Sequence, residues 1–508
     1  MERVLNTSTD NRSGILSRIG LLVGPVLALL TYLLLPDSYI GTDGATQLLP
    51  AAARAAAAVG VLMACWWMTE AISVYATALL PLVLFPLFGV ADIHTVAASY
   101  GHEIIYLFLG GFVLALALER WGLHRRLALN VLGAVGASPR RIVGAFMAVS
   151  AVLSMWVTNT ATTIMLLPVA VSVIRMLPTK DLEDGMADSP FALCLLLGIA
   201  YASSIGGMGT IVGTAPNVFA VSFIKEQMGI NIGFLEWMKF AVPLVILFVP
   251  FAWFILTHIV YPVRVQKIPG VEGLLDDERN KLQPMARAEW LTLAVFSLTA
   301  LAWISRPILN GLRWGDMQPL AGLTDSGIAI AAAVLLFIIP VNFRRGEFLM
   351  DWPTALRLPW GLLLLFGGGL ALAAALSSSG FSAYLGEQAS HFAGWPLWLV
   401  VLTVTAMVVF LTELTSNTAT TATLIPLLYA AAVGLGLPPL LIVLPATFAA
   451  SCAFMLPVAT PPNAIVFGSG YLRVVHMSKA GFWLNIGAIA LITLAAYAIL
   501  IPLLGISF

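Results

Sequence analysis

"TNTATT" at Thr158–Thr163 and "SNTATT" at Ser416–Thr421 place the same run of hydroxyls and one amide twice within long apolar stretches. The chain around them has 508 residues, of which 60% are hydrophobic and 10% charged, and its mean hydropathy is +0.96. A soluble fold has no way to hide so much apolar surface. Repeated apolar runs of about twenty residues read as bilayer-spanning helices. The expected fold class is therefore an all-α polytopic membrane protein.

Spans are expected near 17–36, 52–69, 71–90 and 103–120, and then near 191–226, 238–262, 289–305, 326–341, 360–380, 438–470 and 479–506. That is about eleven transmembrane helices. Two further stretches, about 142–176 and 397–433, carry the TNTATT and SNTATT runs in their middles. Each is too polar at its centre for an ordinary span. Each is long enough, at about 1.5 Å per residue, to enter halfway and return as a re-entrant hairpin. The first twenty residues are polar for too long to be a cleaved signal peptide, and 1–16 reads as a cytosolic tail before an extra first helix at 17–36.

Basic residues set the expected sidedness. His124-Arg125-Arg126, Arg140-Arg141, the connector 263–288 (with Arg264, Lys267, Arg279, Lys281 and Arg287), Arg344-Arg345 and Arg473 to Lys479 all fall on one side if the N-terminus is inside. The segments 381–396 and 434–438 contain no Lys or Arg. The first hairpin then enters from the cytoplasm, the second from the opposite face, and the C-terminus lies outside. The chain is expected in the cytoplasmic (bacterial inner) membrane.

Opposed hairpins suggest an inverted repeat, and spacing supports one. Asn417 follows Asn159 by 258 positions. At the same offset Gly110-Gly111 matches Gly368-Gly369, Gly122 matches Gly380, and Pro168 matches Pro426. "GTAPN" (Gly213–Asn217) matches "ATPPN" (Ala459–Asn463) at an offset of 246. The difference of twelve equals the length of "TKDLEDGMADSP" (179–190), which reads as an insertion. The expected halves are 52–262 and 289–508, with the broken helices at about 191–226 and 438–470.

A hairpin tip in hydrocarbon leaves backbone groups unpaired, and a proline within a span removes a donor. Such breaks survive where they line a cavity. Four of them related by pseudo-symmetry converge near the midplane, where half-helix N-termini attract an anion and freed carbonyls coordinate a cation. Asn159 and Asn417 offer an amide donor or a carbonyl oxygen, and Thr160, Thr418, Thr214 and Thr460 offer hydroxyls. The two hairpin runs have no Lys or Arg within about ten residues, and the basic residue nearest any of the four runs is Lys225, eight past Asn217. A multiply charged anion then needs co-bound cations, which points to cation-coupled anion transport. Ordinary helix packing through small and hydroxyl residues explains one such run but not four in register.

The remaining polar residues say less. Glu413 is either a proton or cation site or the cap of a neighbouring helix end. Glu70 reads as structural at a span boundary. His124 and His476 are placed in loops and the other histidines near span ends, with no metal-ligand spacing. Cys65, Cys194 and Cys452 read as small buried residues. "GGMGTIVG" (Gly206–Gly213) lacks the spacing and lysine of a nucleotide loop. A net charge of zero gives no footprint for nucleic acid.

At "SCAFMLPVATPPNAIVFGSG" (Ser451–Gly470), "SIGGMGTIVGTAPN" (Ser204–Asn217) and the paired Asn-Thr runs, the chain resembles the divalent anion:sodium symporters, which include dicarboxylate, citrate and sulfate carriers. The resemblance covers nearly the whole chain. It implies a homodimer whose subunits each have a scaffold and an elevator-type transport domain, with sodium as the coupling ion and no organic cofactor. It further implies one sodium site at Ser154, Thr158, Asn159 and Gly213 and another at Thr412, Thr415, Asn417 and Ala459. The substrate site would be Asn159, Thr160, Thr214, Asn417, Thr418, Thr460 and Pro461. Thr158 stands where the family usually has serine, and Ala215 where a proline is common.

The leading expectation is sodium-coupled symport of di- or tricarboxylates such as succinate, malate or fumarate. Alternatives are a sodium-independent dicarboxylate exchanger, a sulfate carrier and, more remotely, a sodium/proton antiporter leaning on Glu413. An intramembrane enzyme would need a nucleophile or metal constellation that these residues do not supply.

Overall fold

The computed structural model describes residues 10–41, 45–133, 136, 138–177, 189–264, 268, 270–313, 316–389 and 394–504. Residues 1–9 of the expected tail and most of the expected insertion (179–188) lie outside the described residues. The described chain is built from helices, eight of them long and apolar enough to cross a membrane. Five shorter apolar helices of 10–17 residues accompany them.

Among the described residues eight helices reach the length of a span, and several other apolar runs expected to span form shorter or broken helices. The run expected at 71–90 forms Val74–Thr77 and Leu80–Leu87. Pro81 sits in the first turn of the second piece, where its missing N–H costs nothing but where an incoming helix cannot continue through it. Asp325–Ile338 replaces the expected 326–341 and stops where the chain turns into a short antiparallel ribbon, Pro340–Asn342 against Glu347–Phe348. A second ribbon, Ser38–Ile40 against Thr46–Leu48, joins the first two spans. The all-α expectation is corrected to that extent: both ribbons lie in helix connections. His124 and His476, expected in loops, sit in the helices Leu123–Leu132 and Val474–Ala495.

The order of elements recurs. Glu103–Arg120, Leu123–Leu132, the helix pair Pro139–Ser154 and Asn159–Ile174, the broken pair Pro190–Gly207 and Ala215–Met228, and Phe234–Phe254 follow one another. Trp360–Ser378, Phe381–Ala389, Leu397–Thr412 and Asn417–Gly434, Leu440–Ala450 and Pro461–Phe467, and Val474–Ala495 repeat that order. Even the last members match, since each long helix runs on into a π-helical turn, Ile255–Val260 and Ala496–Leu500.

Pro190–Gly207 is the centre of the packing and is buried nearly all round. Its small residues let the first hairpin lie against it. A Cβ on Gly206 would stand 2.2 Å from the Ala151 carbonyl oxygen, so the backbones touch there. Ser150 donates to the Ile199 carbonyl at 2.8 Å and Thr163 to Ser203 at 3.3 Å. At the periphery the apolar side chains face outward instead: Leu22, Leu33 and Leu34 of the first helix are 73%, 64% and 78% exposed. Such a face is stable against lipid and not against water.

Candidate functional site

Both hairpin arms turn at the residues the sequence singles out. The first tip is 155–158, and its second arm begins at Asn159. The second tip is 413–416, and its second arm begins at Asn417. Thr158 caps its arm by accepting from the Ala161 N–H at 3.3 Å, while Ser416 makes no such bond. Each arm of 16 or 18 residues thereby aims an N-terminus, with its unpaired N–H groups, at the space beyond the tip.

The amide oxygens of the two asparagines are held alike. Ser154 donates to Asn159 Oδ1. Thr412 donates to Asn417 Oδ1 at 2.9 Å and to the Ala450 carbonyl at 2.9 Å. These hydroxyls sit behind the asparagines, whose amides lie in the cavity wall. Thr415 donates to the Leu411 carbonyl at 3.0 Å and meets Thr420 Oγ1 at 2.5 Å.

The broken helices supply the other wall. Pro190–Gly207 ends, a 3-10 turn Ile211–Gly213 follows, and Thr214 leads in extended conformation (φ −149°) into Ala215–Met228. In the second half Thr460, also extended (φ −142°), leads into Pro461–Phe467 and caps it by accepting from the Asn463 N–H at 3.3 Å. Prolines occupy the first turn in both, as a helix start allows. The Thr214 hydroxyl makes no cap bond.

Asparagines that sequence reasoning quoted but gave no role hold these breaks in shape. Asn217 Nδ2 donates to the carbonyls of Gly207 (3.1 Å), Met208 (3.3 Å) and Thr210 (2.8 Å). Asn463 Nδ2 donates to those of Ala453 and Leu456, each at 3.0 Å. Their signal was their place directly after proline in "APN" and "PPN". Trp237 adds a bond to the Met208 carbonyl at 3.0 Å.

Tips and breaks converge on one cavity of about 2060 Å³. Thr158, Asn159, Thr160, Gly213 and Thr214 line it from one half, and Thr415, Asn417, Thr418, Ala459, Thr460 and Pro461 from the other. Of the thirteen expected site residues, Ser154 and Thr412 alone are not in the wall; they touch it through the asparagine oxygens. Toward its mouth the lining changes to Ser17, Glu70, Glu119, His124 and Arg357.

The electrostatics follow from that lining. Arg357 is the one Lys or Arg among the described lining residues, and it pairs with Glu119 at 3.1 Å. Its role was not legible in the sequence, because it lies far along the chain from every polar run. Glu70 caps the helix Ala51–Thr69 in the left-handed conformation (φ 48°), with Ser17 donating to its carbonyl at 3.0 Å. Glu413 is 4% exposed and accepts from the N–H groups of Phe454, Met455 and Leu456. These N–H groups lie in the non-helical stretch between Leu440–Ala450 and Pro461–Phe467 rather than at a helix end.

The wall thus offers neutral oxygens and N–H donors. A Cβ on Gly207 would stand 2.6 Å from Asn159 Oδ1 and 3.2 Å from the Gly213 carbonyl oxygen. Those two oxygens and the Ser154 hydroxyl therefore gather in one place. Uncharged oxygen donors of this kind suit a hard, singly charged cation. Among the described residues no three His, Cys, Asp or Glu side chains stand together as a metal cluster.

Helices that expose apolar side chains to lipid, broken around a central polar cavity, define an integral-membrane transport protein rather than an enzyme. The chain belongs to the family described as "sodium:sulfate symporter transmembrane region", which matches residues 20–506. It is 40% identical to the "sodium-dependent dicarboxylate transporter SdcS" of Staphylococcus saprophyticus over 493 residues, covering 96% of this chain and 92% of that one. The protein of the same description in Staphylococcus aureus strain USA300 is also 40% identical over 493 residues, with the same coverage. Among solved structures, the fold is similar to the YdaH transporter of Alcanivorax borkumensis (TM-score 0.57, 13% identity, 96% of this chain and 97% of that one). It is likewise similar to MtrF of Neisseria gonorrhoeae (TM-score 0.58, 13% identity, 96% of both chains).

Proposed function

We propose that this protein is a sodium-coupled symporter of dicarboxylates of the succinate, malate and fumarate class. The observation that carries it is the cavity lined by both Asn159 and Asn417, in which Arg357, paired with Glu119, is the one Lys or Arg among the described lining residues. The relatives described as sodium-dependent dicarboxylate transporters support the substrate class.

One carboxylate would take the amide and hydroxyl donors of Asn159, Thr160 and Thr214, and the other those of Asn417, Thr418 and Thr460 beside Pro461. Each half-helix N-terminus adds partial positive charge. Two sodium ions would supply the rest, one among Ser154, Thr158, Asn159 and Gly213, the other among Thr412, Thr415, Asn417 and Ala459. Each asparagine then serves both an ion and the anion, so cation and substrate binding are linked: an ion that orders the amide lowers the cost of ordering it for the anion.

The two halves, 52–262 and 289–508, would run in opposite directions through the cytoplasmic membrane, with the hairpins as re-entrant elements. On the positive-inside assignment the cavity mouth at Glu119 and Arg357 faces the cytoplasm, so this conformation is inward-facing. Hairpins and broken helices would move as one body against the remaining helices, in a homodimer, to expose the site to the other face.

Labelled succinate uptake into proteoliposomes tests the reading. Uptake driven by an inward sodium gradient and not by potassium is expected, with excess unlabelled malate competing and sulfate not. Sodium-indifferent uptake that needs internal dicarboxylate would replace symport by exchange, and competition by sulfate alone would replace the substrate class.

A further inference from the structure

Glu413 opens the second hairpin tip, next to Thr412. Its Oε1 accepts from Phe454 N at 2.6 Å, Met455 N at 2.9 Å and Asn485 Nδ2 at 2.8 Å. Its Oε2 accepts from Met455 N at 3.0 Å and Leu456 N at 3.2 Å. These N–H groups belong to the stretch between Leu440–Ala450 and Pro461–Phe467, where no helix supplies acceptors. The same stretch continues into Ala459 and Thr460.

The other half solves this problem differently. The position 258 before Glu413 is Met155, which has no carboxylate. There the Thr210 hydroxyl in the break donates to the Met155 carbonyl at 2.5 Å. One neutral bond joins tip to break in the first half, and a carboxylate that accepts from three backbone N–H groups of the break joins them in the second.

Asn485 completes the second arrangement from Val474–Ala495. It is fully buried, and its Oδ1 has no partner among the described residues. The amide therefore makes its contact through the donation to Glu413. Gly481 on the same helix lies against the break: a Cβ there would stand 2.4 Å from the Phe454 carbonyl carbon and oxygen.

We propose that Glu413 and Asn485 form a positioning pair for the second cation-binding half of the site. The inference rests on the symport reading above. The pair locks the tip that carries Thr412, Thr415 and Asn417 to the break that carries Ala459 and Thr460, so that ligands from two segments keep one geometry. Both carboxylate oxygens face N–H donors.

The test uses purified full-length protein. Sodium binding is read as the rise in melting temperature on titration with sodium chloride against choline chloride. Sodium-driven succinate uptake is read across sodium concentrations. Asn485→Ala keeps the carboxylate and removes one donor to it; the sodium concentration for half-maximal effect should rise about tenfold in both assays. Its succinate KM at saturating sodium should stay within about twofold of the wild type. Glu413→Gln should raise the sodium requirement further or fail to give a monodisperse protein, in which case Asn485→Ala decides alone. Unchanged sodium affinity in a folded Asn485→Ala would overturn the positioning role. A folded Glu413→Gln with wild-type sodium affinity would overturn it as well. A wild type whose melting and uptake ignore sodium would instead remove the symport reading and this inference with it.

Discussion

Asn159 and Asn417 show what a residue-scale reading can reach. Their repetition within "TNTATT" and "SNTATT" marked the hairpin tips, and the structure sets both side chains in one cavity wall with a hydroxyl behind each. What that reading missed is the support. The bonds from Asn217 and Asn463 to break carbonyls depend on where an unwound backbone happens to point, and no periodicity encodes that. Thr460→Ala removes the bond to the Asn463 N–H. It should lower thermal stability by about 1 kcal/mol, and Thr460→Ser should restore it, as melting in detergent would record. Glu70 departs from the usual backbone rule, being the described non-glycine residue with positive φ. Glu70→Gly relieves that conformation and should raise stability by about 0.5–1 kcal/mol with uptake unchanged, a pairing that one melt and one transport assay would check.

Elements were legible where an apolar run is uninterrupted and obscure where it breaks. Helix pairs, Pro139–Ser154 with Asn159–Ile174 and Leu397–Thr412 with Asn417–Gly434, fall on the stretches 142–176 and 397–433. The break within the run expected to span at 71–90 was not legible, because Pro81 reads as tolerable within an apolar run until its helix position is known. The helix Leu123–Leu132 was missed as well. Its arginines face the connector, Arg126 pairing with Glu289 at 2.9 Å and Arg125 with Glu278 at 3.1 Å. In a sequence these look like solvated loop charges. Close helix contact marks the second hairpin: a Cβ on Gly434 would stand 2.0 Å from the Gly386 carbonyl oxygen. Gly434→Ala should push Phe381–Ala389 off the hairpin arm and cost about 1–3 kcal/mol of stability, read as a lower melting temperature. Asp351, outside the spans, caps Trp352–Ala355 and pairs with Arg120 at 2.7 Å. The Thr354 hydroxyl and amide, aided by Arg120, hold its carboxyl below the usual range. A lowered folded value means the contribution is present above the ordinary carboxylate range and is lost as pH falls through the lowered one. Asp351→Ala should therefore melt below the wild type at neutral pH, and the gap should close only below about pH 4.

At the scale of the molecule, composition alone placed the chain in a bilayer, and recurrence of one helix order along the chain answers to the constant offsets seen in the sequence. The contacts between distant segments were not legible. Glu103 and His102 meet Lys225 and Glu226, with His102 and Glu226 2.7 Å apart, across more than a hundred residues of chain. The positive-inside assignment makes a direct prediction for topology. In a variant lacking Cys65, Cys194 and Cys452, Arg344→Cys should react with a membrane-impermeant maleimide only after cells are permeabilised, and Trp395→Cys should react in intact cells. Labelling of both from outside would overturn the orientation.

The central claim is that two pseudo-symmetric half-sites make one site for a dicarboxylate and its coupling ions. The most direct measurement is sodium-driven succinate uptake at limiting substrate in proteoliposomes carrying the wild type, Asn159→Ala or Asn417→Ala. Each asparagine lost should lower uptake by about ten- to a hundredfold, because bonds to a charged ligand and an ion oxygen go together. Wild-type uptake in either variant would contradict the account, since one half of the chain would then suffice to bind and couple.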